Sequence, residues 1–198
     1  MIILGLTGSI ASGKSSVART LHKFFHAHTL DIDDITHNLL EPNNILYNIY
    51  LRHFGHSILN DDFTLNRRAV ADIIFNNKSE RLWINSVAHP ILLNRARDFL
   101  LDCHAAQVPL AVIECPLLFD AGWQHLFDQI WCIYVPFHLQ IQRLMARDNL
   151  TYQQAISRIR AQMHVNRIKK KAHLNIKNCG SYKFVRQQIC AAARRLLP

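Results

Sequence analysis

The sequence predicts an α/β fold in which helices cover both faces of a mostly parallel sheet of five strands. Short apolar runs alternate along the chain with longer segments whose apolar residues recur at helical spacing. The first apolar run, residues 2–6, leads into a glycine-rich turn at residues 8–15, and helical spacing begins at Lys14. Such alternation of strands and helices is typical of a three-layer, doubly wound sheet.

The glycine-rich turn reads Gly-Ser-Ile-Ala-Ser-Gly-Lys-Ser, which fits the P-loop pattern G-x-x-x-x-G-K-[ST]. In that loop, backbone N–H groups and the positive end of the following helix bind polyphosphate. Lys14 is expected to reach the β- and γ-phosphates, and the Ser15 hydroxyl is expected to bind Mg²⁺. A strand before the motif and a helix after it favour a nucleoside triphosphate site over a chance Gly/Ser-rich turn.

Composition limits the class of protein. With 49% hydrophobic and 19% charged residues, the 198-residue chain has the composition of a soluble globular protein. No apolar run approaches the roughly 18 residues that span a bilayer, and the first apolar run lacks the basic start of a signal peptide. Five cysteines without a C-x-x-C pair favour reduced thiols in the cytoplasm.

The formal net charge of +9 favours anionic partners. Phosphorylated substrates satisfy this charge, and so does nucleic acid. The basic run Lys169-Lys170-Lys171 is the candidate nucleic-acid patch, but such a run is more often a solvated turn. Nucleic acid is therefore not the expected partner.

After the first helix, a second strand is expected to end at residues 31–33. This would place Asp33 at the carboxyl end of a strand, where ligands bind in open α/β sheets. Helices are expected at residues 34–40 and 45–54, the second ended by Gly55. Residues 65–101 show no strand pattern and predict a helical insertion, with one helix capped by Ser79 and another beginning at Pro90.

The second half of the chain returns to the strand–helix alternation. Residues 110–115 form a buried apolar run that is closed by an acidic residue in a Walker-B-like position, and residues 130–135 predict the fourth strand. A helix is expected over 139–147, and Thr151 with Gln154 forms a capping-box pattern that predicts the start of another. Residues 173–177 predict the fifth strand, and Gly180 precedes the last helix.

A P-loop by itself does not distinguish kinases from GTPases and ATPases. No N-K-x-D stretch supports a GTPase, and ATPase motors are usually longer. A short chain with a helical insertion and a late arginine-bearing helix favours a small-molecule kinase. Such an enzyme positions phosphates and Mg²⁺, orients the acceptor hydroxyl and supplies cations for the developing charge.

Motifs over nearly the whole chain resemble the dephospho-CoA kinase family, whose members catalyse the last step of coenzyme A biosynthesis. The pair His89-Pro90 followed by Pro116-Leu117-Leu118-Phe119 is more discriminating than the P-loop. The other matching segments are Gly5-Leu6-Thr7-Gly8 with Gly13-Lys14-Ser15, Asp31-Ile32-Asp33, Arg67-Arg68 with Ile74-Phe75, Arg143 through Arg147-Asp148, Arg158 with Gln162, and Asn178-Cys179-Gly180.

The resemblance implies a P-loop kinase that uses ATP, with Mg²⁺, to phosphorylate the ribose 3′-hydroxyl of dephospho-CoA. Lys14, Asp33 and Arg143 would be catalytic, with Asp33 acting as general base or through Mg²⁺, and Ser15 would bind the metal. Residues expected to bind ATP are Gly8, Ala11, Ser12, Gly13, Lys14, Ser15, Ser16, Arg143 and Asn178. Residues expected to bind the acceptor are Asp33, Arg67, Phe75, His89, Pro116 and Leu117.

The resemblance also implies a single cytoplasmic domain without membrane partners. Its core would comprise about residues 1–60, 105–138 and 172–198, with an acceptor-binding insertion at about 61–104 and a lid at about 139–171. The sequence says nothing about the oligomeric state. Another small-molecule or nucleoside monophosphate kinase is the nearest alternative, and a nucleotide-regulated nucleic-acid-binding protein is a more distant one.

Several site residues keep a structural alternative. Asp33 could instead cap the helix predicted at residue 34. Arg147, four residues after Arg143, could be a lid residue or an ion-paired structural residue. Next to Pro90, His89 is more often a helix-entry residue than a catalytic one, and Phe75 could be core of the insertion.

The chain departs from the family's usual pattern at five positions. Ser9, Ala11 and Ser16 replace two glycines and a threonine of the loop, Asp120 replaces a glutamate, and His173 replaces an aspartate. If position 9 or 11 requires positive φ, a side chain there costs about 1 kcal/mol, which a folded protein tolerates. The departures leave Lys14, Ser15 and Asp33 in place.

Overall fold

A computed structural model describes residues 1–197, without the side chains of Phe75 and Asn76. The described chain contains one sheet of five parallel strands in the order β2-β3-β1-β4-β5. The strands are β1 Ile2–Thr7, β2 His28–Asp31, β3 Leu110–Glu114, β4 Gln129–Tyr134 and β5 Leu174–Lys177. This confirms the α/β fold and the five-stranded parallel sheet that the sequence predicts.

The helices connect the strands and lie mostly between them along the chain. Those of the described residues are α1 Lys14–Phe25, α2 Ile32–Leu39, α3 Ile45–Phe54, α4 Arg67–Asn76, α5 Lys78–Ala105, α6 Phe137–Asp148, α7 Tyr152–Arg160, α8 Val165–Lys171 and α9 Tyr182–Ala193. Within this part of the chain, no helix combines the length and the apolar character that crossing a bilayer requires.

The chain separates into two compact units. The first contains residues 1–31 and the chain from Asp98 onward, and the second contains residues 32–97. All five strands belong to the first unit, and α2, α3 and α4 belong to the second. The expected division into core, acceptor-binding insertion and lid is a division by function, and it stays a prediction.

The central strand of the first unit is β1, which pairs with β3 on one side and β4 on the other. Leu4 and Leu6 of β1 are fully buried in a cluster that also contains residues of α1, β4 and α9. Burial of each leucine stabilises the fold by about 2 kcal/mol. The strand that leads into the P-loop is therefore fixed on both edges and by its side chains.

Local sequence signals set several helix ends. The N–H of Gln154 bonds the Thr151 hydroxyl and the Gln154 amide oxygen accepts the N–H of Thr151, which completes the predicted capping box of α7. Gly55 follows α3 with a φ of 71° and a ψ of −166°, a conformation that glycine adopts far more readily than other residues. Ser181 caps α9 by accepting the N–H of Phe184.

The helix expected to begin at Pro90 is not a separate helix. Pro90 lies inside α5, which runs from Lys78 to Ala105. Ile84, Ala88, Leu92 and Ala96 are buried at four-residue intervals, so the packed face of the helix continues past the proline. This packing outweighs the lost backbone hydrogen bond and ring clash, which cost about 3 kcal/mol.

Two further expectations need correction. The second strand ends at Asp31, two residues earlier than predicted, and buried Ile32 begins α2. The run of residues 169–171 is the last turn of helix α8 and not a separate turn, and Lys170 and Lys171 are exposed to solvent, as expected. The ammonium group of Lys169 lies 4.0 Å from the ring centre of Tyr134, and that of Lys171 lies 5.4 Å from the ring centre of Phe119.

Candidate active site

The P-loop follows β1, and two of its glycines lie close to neighbouring residues. Gly8 has a φ of 136°, and a Cβ atom there would lie 2.0 Å from the carbonyl oxygen of Ile133 in β4. Gly13, the N-cap of α1, has a φ of 87°, and its Cβ would lie 2.1 Å from the Asn178 side-chain nitrogen. Gly8 is therefore required by conformation and by space, whereas Gly13 is required by its conformation, since the Asn178 side chain could move away from a Cβ atom.

Position 11 of the loop adopts the left-handed conformation that the family pattern satisfies with glycine. Ala11 has a φ of 56°, whereas Ser9 is not among the residues of positive φ. Single residues other than glycine in this region cost about 1–2 kcal/mol. The chain therefore holds strain in the loop at Ala11 and none of this kind at Ser9.

Lys14, the first residue of α1, reaches back over the loop. Its ammonium group donates to the carbonyl oxygen of Gly8 at 3.1 Å and lies 3.4 Å from that of Ser9. The side chain is half-buried, and the cation therefore lies on the loop that the motif assigns to phosphate. That Lys14 reaches the β- and γ-phosphates stays a prediction.

Two residues from distant parts of the chain, both expected to bind ATP, meet at Gly13. The Asn178 amide, just after β5, donates to the carbonyl oxygen of Ser12 at 2.8 Å. The Arg143 guanidinium of α6 lies 3.9 Å from the position of a Gly13 Cβ. Arg143 is exposed, so its charge is accessible beside the first turn of α1.

Two glutamines also contact the loop, and sequence reasoning gave neither of them a role. Gln162 accepts the N–H of Ile10 at 2.7 Å, and Gln140 donates to the Ile10 carbonyl oxygen at 2.9 Å. Gln162 belongs to a motif shared with the family, which was the available signal. Gln140 carried no signal, because a single glutamine in a helix resembles any solvent-facing residue.

The loop hydroxyls differ in their surroundings. The Ser12 hydroxyl oxygen is buried and has no hydrogen-bond partner among the described residues. Ser15 is exposed in the first turn of α1, and the carbonyl oxygen of Ser16 accepts the Thr20 hydroxyl at 2.9 Å. A buried hydroxyl without a partner within the loop is suited to a bond with a phosphate oxygen.

The residues around the loop fit Mg²⁺ carried by a nucleotide. Over the described residues, no group of three or more His, Cys, Asp or Glu side chains is arranged to hold a metal ion. Mg²⁺ commonly keeps several waters and is bound through substrate phosphates with few protein ligands. Ser15 offers a hydroxyl, and buried Glu114 ends β3 beside Leu6 of β1, in the Walker-B-like position.

Arg147 takes part in an ion pair. Its guanidinium bonds the carboxylate of its neighbour Asp148 at 2.7 Å, and Arg158 of α7 bonds the same carboxylate at 3.0 Å. Hydrogen bonding to Arg147 is the main cause that lowers the pKa of Asp148. The ion-paired alternative for Arg147 is therefore visible in the structure, whereas Arg143 lies at the loop.

The expected acceptor residues are distributed over both units. Asp33 is exposed and lies in the first turn of α2, not at the end of a strand. An acidic side chain in this turn interacts favourably with the helix dipole. Arg67, at the start of α4, lies 3.2 Å from His37 and 3.3 Å from Glu41. His89 lies within α5, directly before Pro90, and is not a helix-entry residue.

Pro116 and Leu117 belong to the first unit and follow β3. The carbonyl oxygen of Pro116 accepts the Thr7 hydroxyl at 3.3 Å, which ties this turn to the end of β1. Leu117 is 40% exposed, an unusual fraction for a leucine so near the sheet. Phe75, at the end of α4, was also expected to bind the acceptor, but its side chain lies outside the described residues.

Comparison with known proteins identifies the family. The sequence profile of dephospho-CoA kinase matches residues 2–183. The dephospho-CoA kinase of Carboxydothermus hydrogenoformans is 38% identical over 94% of this chain and 90% of its own length. That of Halalkalibacterium halodurans is 32% identical over 98% of this chain and 96% of its own length.

The chain belongs to the dephospho-CoA kinase family. Among solved structures, a Thermus thermophilus protein superposes with a TM-score of 0.81 at 28% identity, over 100% of this chain and 98% of its own. The dephospho-CoA kinase of Campylobacter jejuni gives 0.69 at 25% identity, with coverage of 98% and 96%. Shikimate kinase from Acinetobacter baumannii, at 16% identity and a TM-score of 0.56, shares the fold.

One departure from the usual family pattern has a visible structural role. His173, where aspartate is common, accepts the N–H of Ile130 through Nδ1 at 2.9 Å. The backbone N–H of His173 donates to the Ile130 carbonyl oxygen, also at 2.9 Å. The imidazole therefore provides a hydrogen-bond acceptor for the backbone N–H of Ile130 in β4, and a carboxylate at this position could accept the same bond.

Three of the five cysteines are buried, namely Cys103, Cys115 and Cys132. Among the described residues, Cys103, Cys132, Cys179 and Cys190 are free thiols. Burial raises the pKa of Cys132 in β4 to about 11, despite the opposing effect of the cations Lys169 and Lys14. A thiol of this kind stays protonated at neutral pH and is a poor nucleophile.

Proposed function

We propose that this protein transfers the γ-phosphoryl group of ATP to the ribose 3′-hydroxyl of dephospho-CoA, giving coenzyme A and ADP. The family match supports the acceptor. The observation that carries the donor half of the proposal is the P-loop itself, with the Lys14 ammonium on its carbonyls and Arg143 and Asn178 beside Gly13.

The residues of the loop would bind the β- and γ-phosphates through backbone N–H groups other than those of Ile10 and Ser12, which bond Gln162 and Ser9. Lys14 would exchange its bonds to the loop carbonyls for bonds to phosphate oxygens, and the buried Ser12 hydroxyl would gain a partner. Arg143 would neutralise the charge that develops on the transferred group, since phosphoryl transfer depends mainly on positioning and electrostatic stabilisation.

Mg²⁺, when bound with ATP, would neutralise phosphate charge during transfer. Ser15 is the residue proposed to hold it, through an exposed hydroxyl in the first turn of α1. Among the described residues, no group of three or more His, Cys, Asp or Glu side chains is arranged to hold a metal ion, which is consistent with an ion bound mainly by phosphates and water.

Asp33 is proposed to orient the acceptor hydroxyl and take its proton. An exposed carboxylate in a rigid first helical turn has both the charge and the fixed backbone that this role requires. Arg67, Phe75, His89, Pro116 and Leu117 are proposed to bind the acceptor. Arg67 would then exchange its contacts with Glu41 and His37 for a phosphate.

Residues 139–171 are proposed to form the lid and residues about 61–104 the acceptor-binding insertion. The cytoplasm is the proposed location, because both substrates of the reaction are soluble metabolites. Neither proposal depends on the oligomeric state.

The test is a coupled assay of ADP release with ATP, Mg²⁺ and one acceptor at a time: dephospho-CoA, AMP, CMP, UMP and shikimate. We expect turnover with dephospho-CoA far above the others, and mass spectrometry should show one added phosphate at the 3′ position. Preference for another acceptor would overturn the assignment of substrate and leave the donor site standing.

Lys14→Ala is the companion variant for the donor site. Turnover should fall at least 10²-fold while thermal unfolding stays close to wild type, because a half-buried lysine on the loop contributes charge rather than core packing. Wild-type rates in this variant would refute the P-loop assignment. Absence of turnover with every acceptor in the wild type would instead direct attention to salt-dependent nucleic-acid binding.

A further inference from the structure

Ile10, in the middle of the P-loop, has both of its backbone polar groups bound by side chains from far along the sequence. Its N–H donates to Oε1 of Gln162 at 2.7 Å, and its carbonyl oxygen accepts from Nε2 of Gln140 at 2.9 Å. One residue of the loop is thus held through the two peptide units on either side of its Cα atom. We call this pair of glutamines the glutamine clamp.

The chemistry of Ile10 fixes how each amide is oriented. A backbone N–H can only donate, so Gln162 must present its oxygen. A backbone carbonyl can only accept, so Gln140 must present its nitrogen. The two glutamines therefore perform opposite tasks, and they respond differently to the same substitution.

Packing strengthens the clamp. Ile10 and Ala11 pack against a buried cluster of Ile141, Leu144 and Ala155, which belong to α6 and α7. Gln140 is only 3% exposed, and an unsatisfied amide at that depth would be costly. Side chains and backbone of the loop are therefore both anchored on the same two helices.

The loop needs such anchors because its own backbone bonds are few. Ala11 is strained at a φ of 56°, and within the loop the N–H of Ser12 donates to the carbonyl oxygen of Ser9 at 3.2 Å. A strained residue keeps its conformation when its surroundings hold it. The clamp acts on the residue directly before Ala11.

We propose that Gln140 and Gln162 are positioning residues that hold the P-loop in its phosphate-binding shape and couple it to the lid segment. Gln140 lies three residues before Arg143, on the same side of α6, so one helix sets both the loop and the guanidinium beside Gly13. Gln162 makes the same connection from the segment between α7 and α8. The consequence for phosphoryl transfer rests on the proposed function, whereas the consequence for nucleotide binding does not.

The experiment compares Glu and Met at the two positions. Gln162→Glu keeps an oxygen that accepts the Ile10 N–H, while Gln162→Met removes it. At position 140, both Gln140→Glu and Gln140→Met remove the donor. Each Glu places one added negative charge beside Ile10, so the comparison between positions separates hydrogen bonding from charge.

The primary readout is the Kd of ADP with Mg²⁺ by titration calorimetry. We expect Gln162→Met and Gln140→Met to raise it about 3- to 10-fold each, Gln140→Glu at least as much, and Gln162→Glu by less than about 3-fold. In turnover, KM for ATP should rise more than kcat falls. The amide of Ile10, followed by NMR, should exchange faster in Gln162→Met than in Gln162→Glu.

The matched control is Gln153→Met, at an exposed glutamine of α7 that is not part of the site. Its ADP affinity should equal that of the wild type. Equal losses in Gln162→Glu and Gln162→Met, or wild-type ADP affinity in all four variants, would overturn the proposal. So would losses of affinity that follow losses of thermal stability across the series, because the glutamines would then serve the fold alone.

The two proposals fail separately. If the wild type did not phosphorylate dephospho-CoA, the proposed function would be refuted, while the ADP series would still decide whether the clamp shapes the loop.

Discussion

Substitution of Gly8 by alanine tests the close approach of the P-loop to the sheet. The added Cβ would lie 2.0 Å from the carbonyl oxygen of Ile133, and ordinary contact begins at 3.4 Å, so the loop must retreat by about 1.4 Å. The obstacle is backbone of β4, which is paired on both sides within the sheet and cannot turn away as a side chain would. The φ of 136° adds strain for any residue with a Cβ.

The size of the effect follows from these two terms. Forced strain of the backbone costs about 1–3 kcal/mol, and overpacking of a tight site costs about 1–3 kcal/mol more. Gly8→Ala should therefore destabilise the fold by about 2–6 kcal/mol, a large share of the 5–15 kcal/mol typical of a domain. Displacement of the loop by about 1 Å should also lower the rate of turnover by roughly 10²-fold.

Gly122→Ala is the matched control, since Gly122 has a φ of 72° and no atom within 4 Å of its built Cβ. It should lose only the left-handed penalty of about 1–2 kcal/mol and keep its affinity for ADP. Urea unfolding and ADP titration of both variants form the assay. Equal stability losses, together with unchanged ADP affinity in Gly8→Ala, would refute the close-approach argument.

Three further predictions concern charged residues. Asp33→Asn should lower kcat by about 10²-fold with little change in ATP affinity. The control Asp34→Asn, in the same first turn of α2, should change neither quantity. Equal effects of the two substitutions would favour a merely local role of both residues at the helix start. Arg143→Ala should lower kcat by about 10²-fold, because the Arg143 charge lies beside Gly13. Arg147→Ala should lower kcat much less. Similar, small losses of kcat in both variants would remove Arg143 from the catalytic site. The lowered pKa of Asp148 means that its ion pairs stabilise the fold above the unfolded value of about 3.9, and this stabilisation is lost as the pH falls through the folded value. Asp148→Asn should accordingly cost less than ~1 kcal/mol at pH 7 in urea unfolding, and this cost should shrink as the pH falls below about 3.9; a cost that does not change with pH would show that the charge is not the cause.

Sequence patterns predicted most of the elements of the first unit, because there the local signals and the packing agree. Buried strands with continuous apolar runs and the capping box at Thr151 each contain their own physical cause. The P-loop was recognisable for the same reason, since its glycines are needed where the backbone has positive φ.

Local signals failed where tertiary packing outweighed them. Pro90 predicted a helix start, but the buried face from Ile84 to Ala96 continues the helix across it. The strand predicted to reach Asp33 stopped at Asp31, because Ile32 is buried as the first residue of a helix. In both cases a local pattern predicted where an element begins or ends, and the burial of neighbouring residues decided otherwise.

By itself, the sequence determined the fold class, the phosphate-binding loop and the family, because each is written in residues that lie close together or in a fixed order. It did not determine which distant side chains meet at the loop. Asn178 and Arg143 meet at Gly13, and Gln140 and Gln162 meet at Ile10, across separations of 130–166 residues. A hydrogen bond requires contact within about 3 Å, and only the folded arrangement of sheet and helices brings these groups that close.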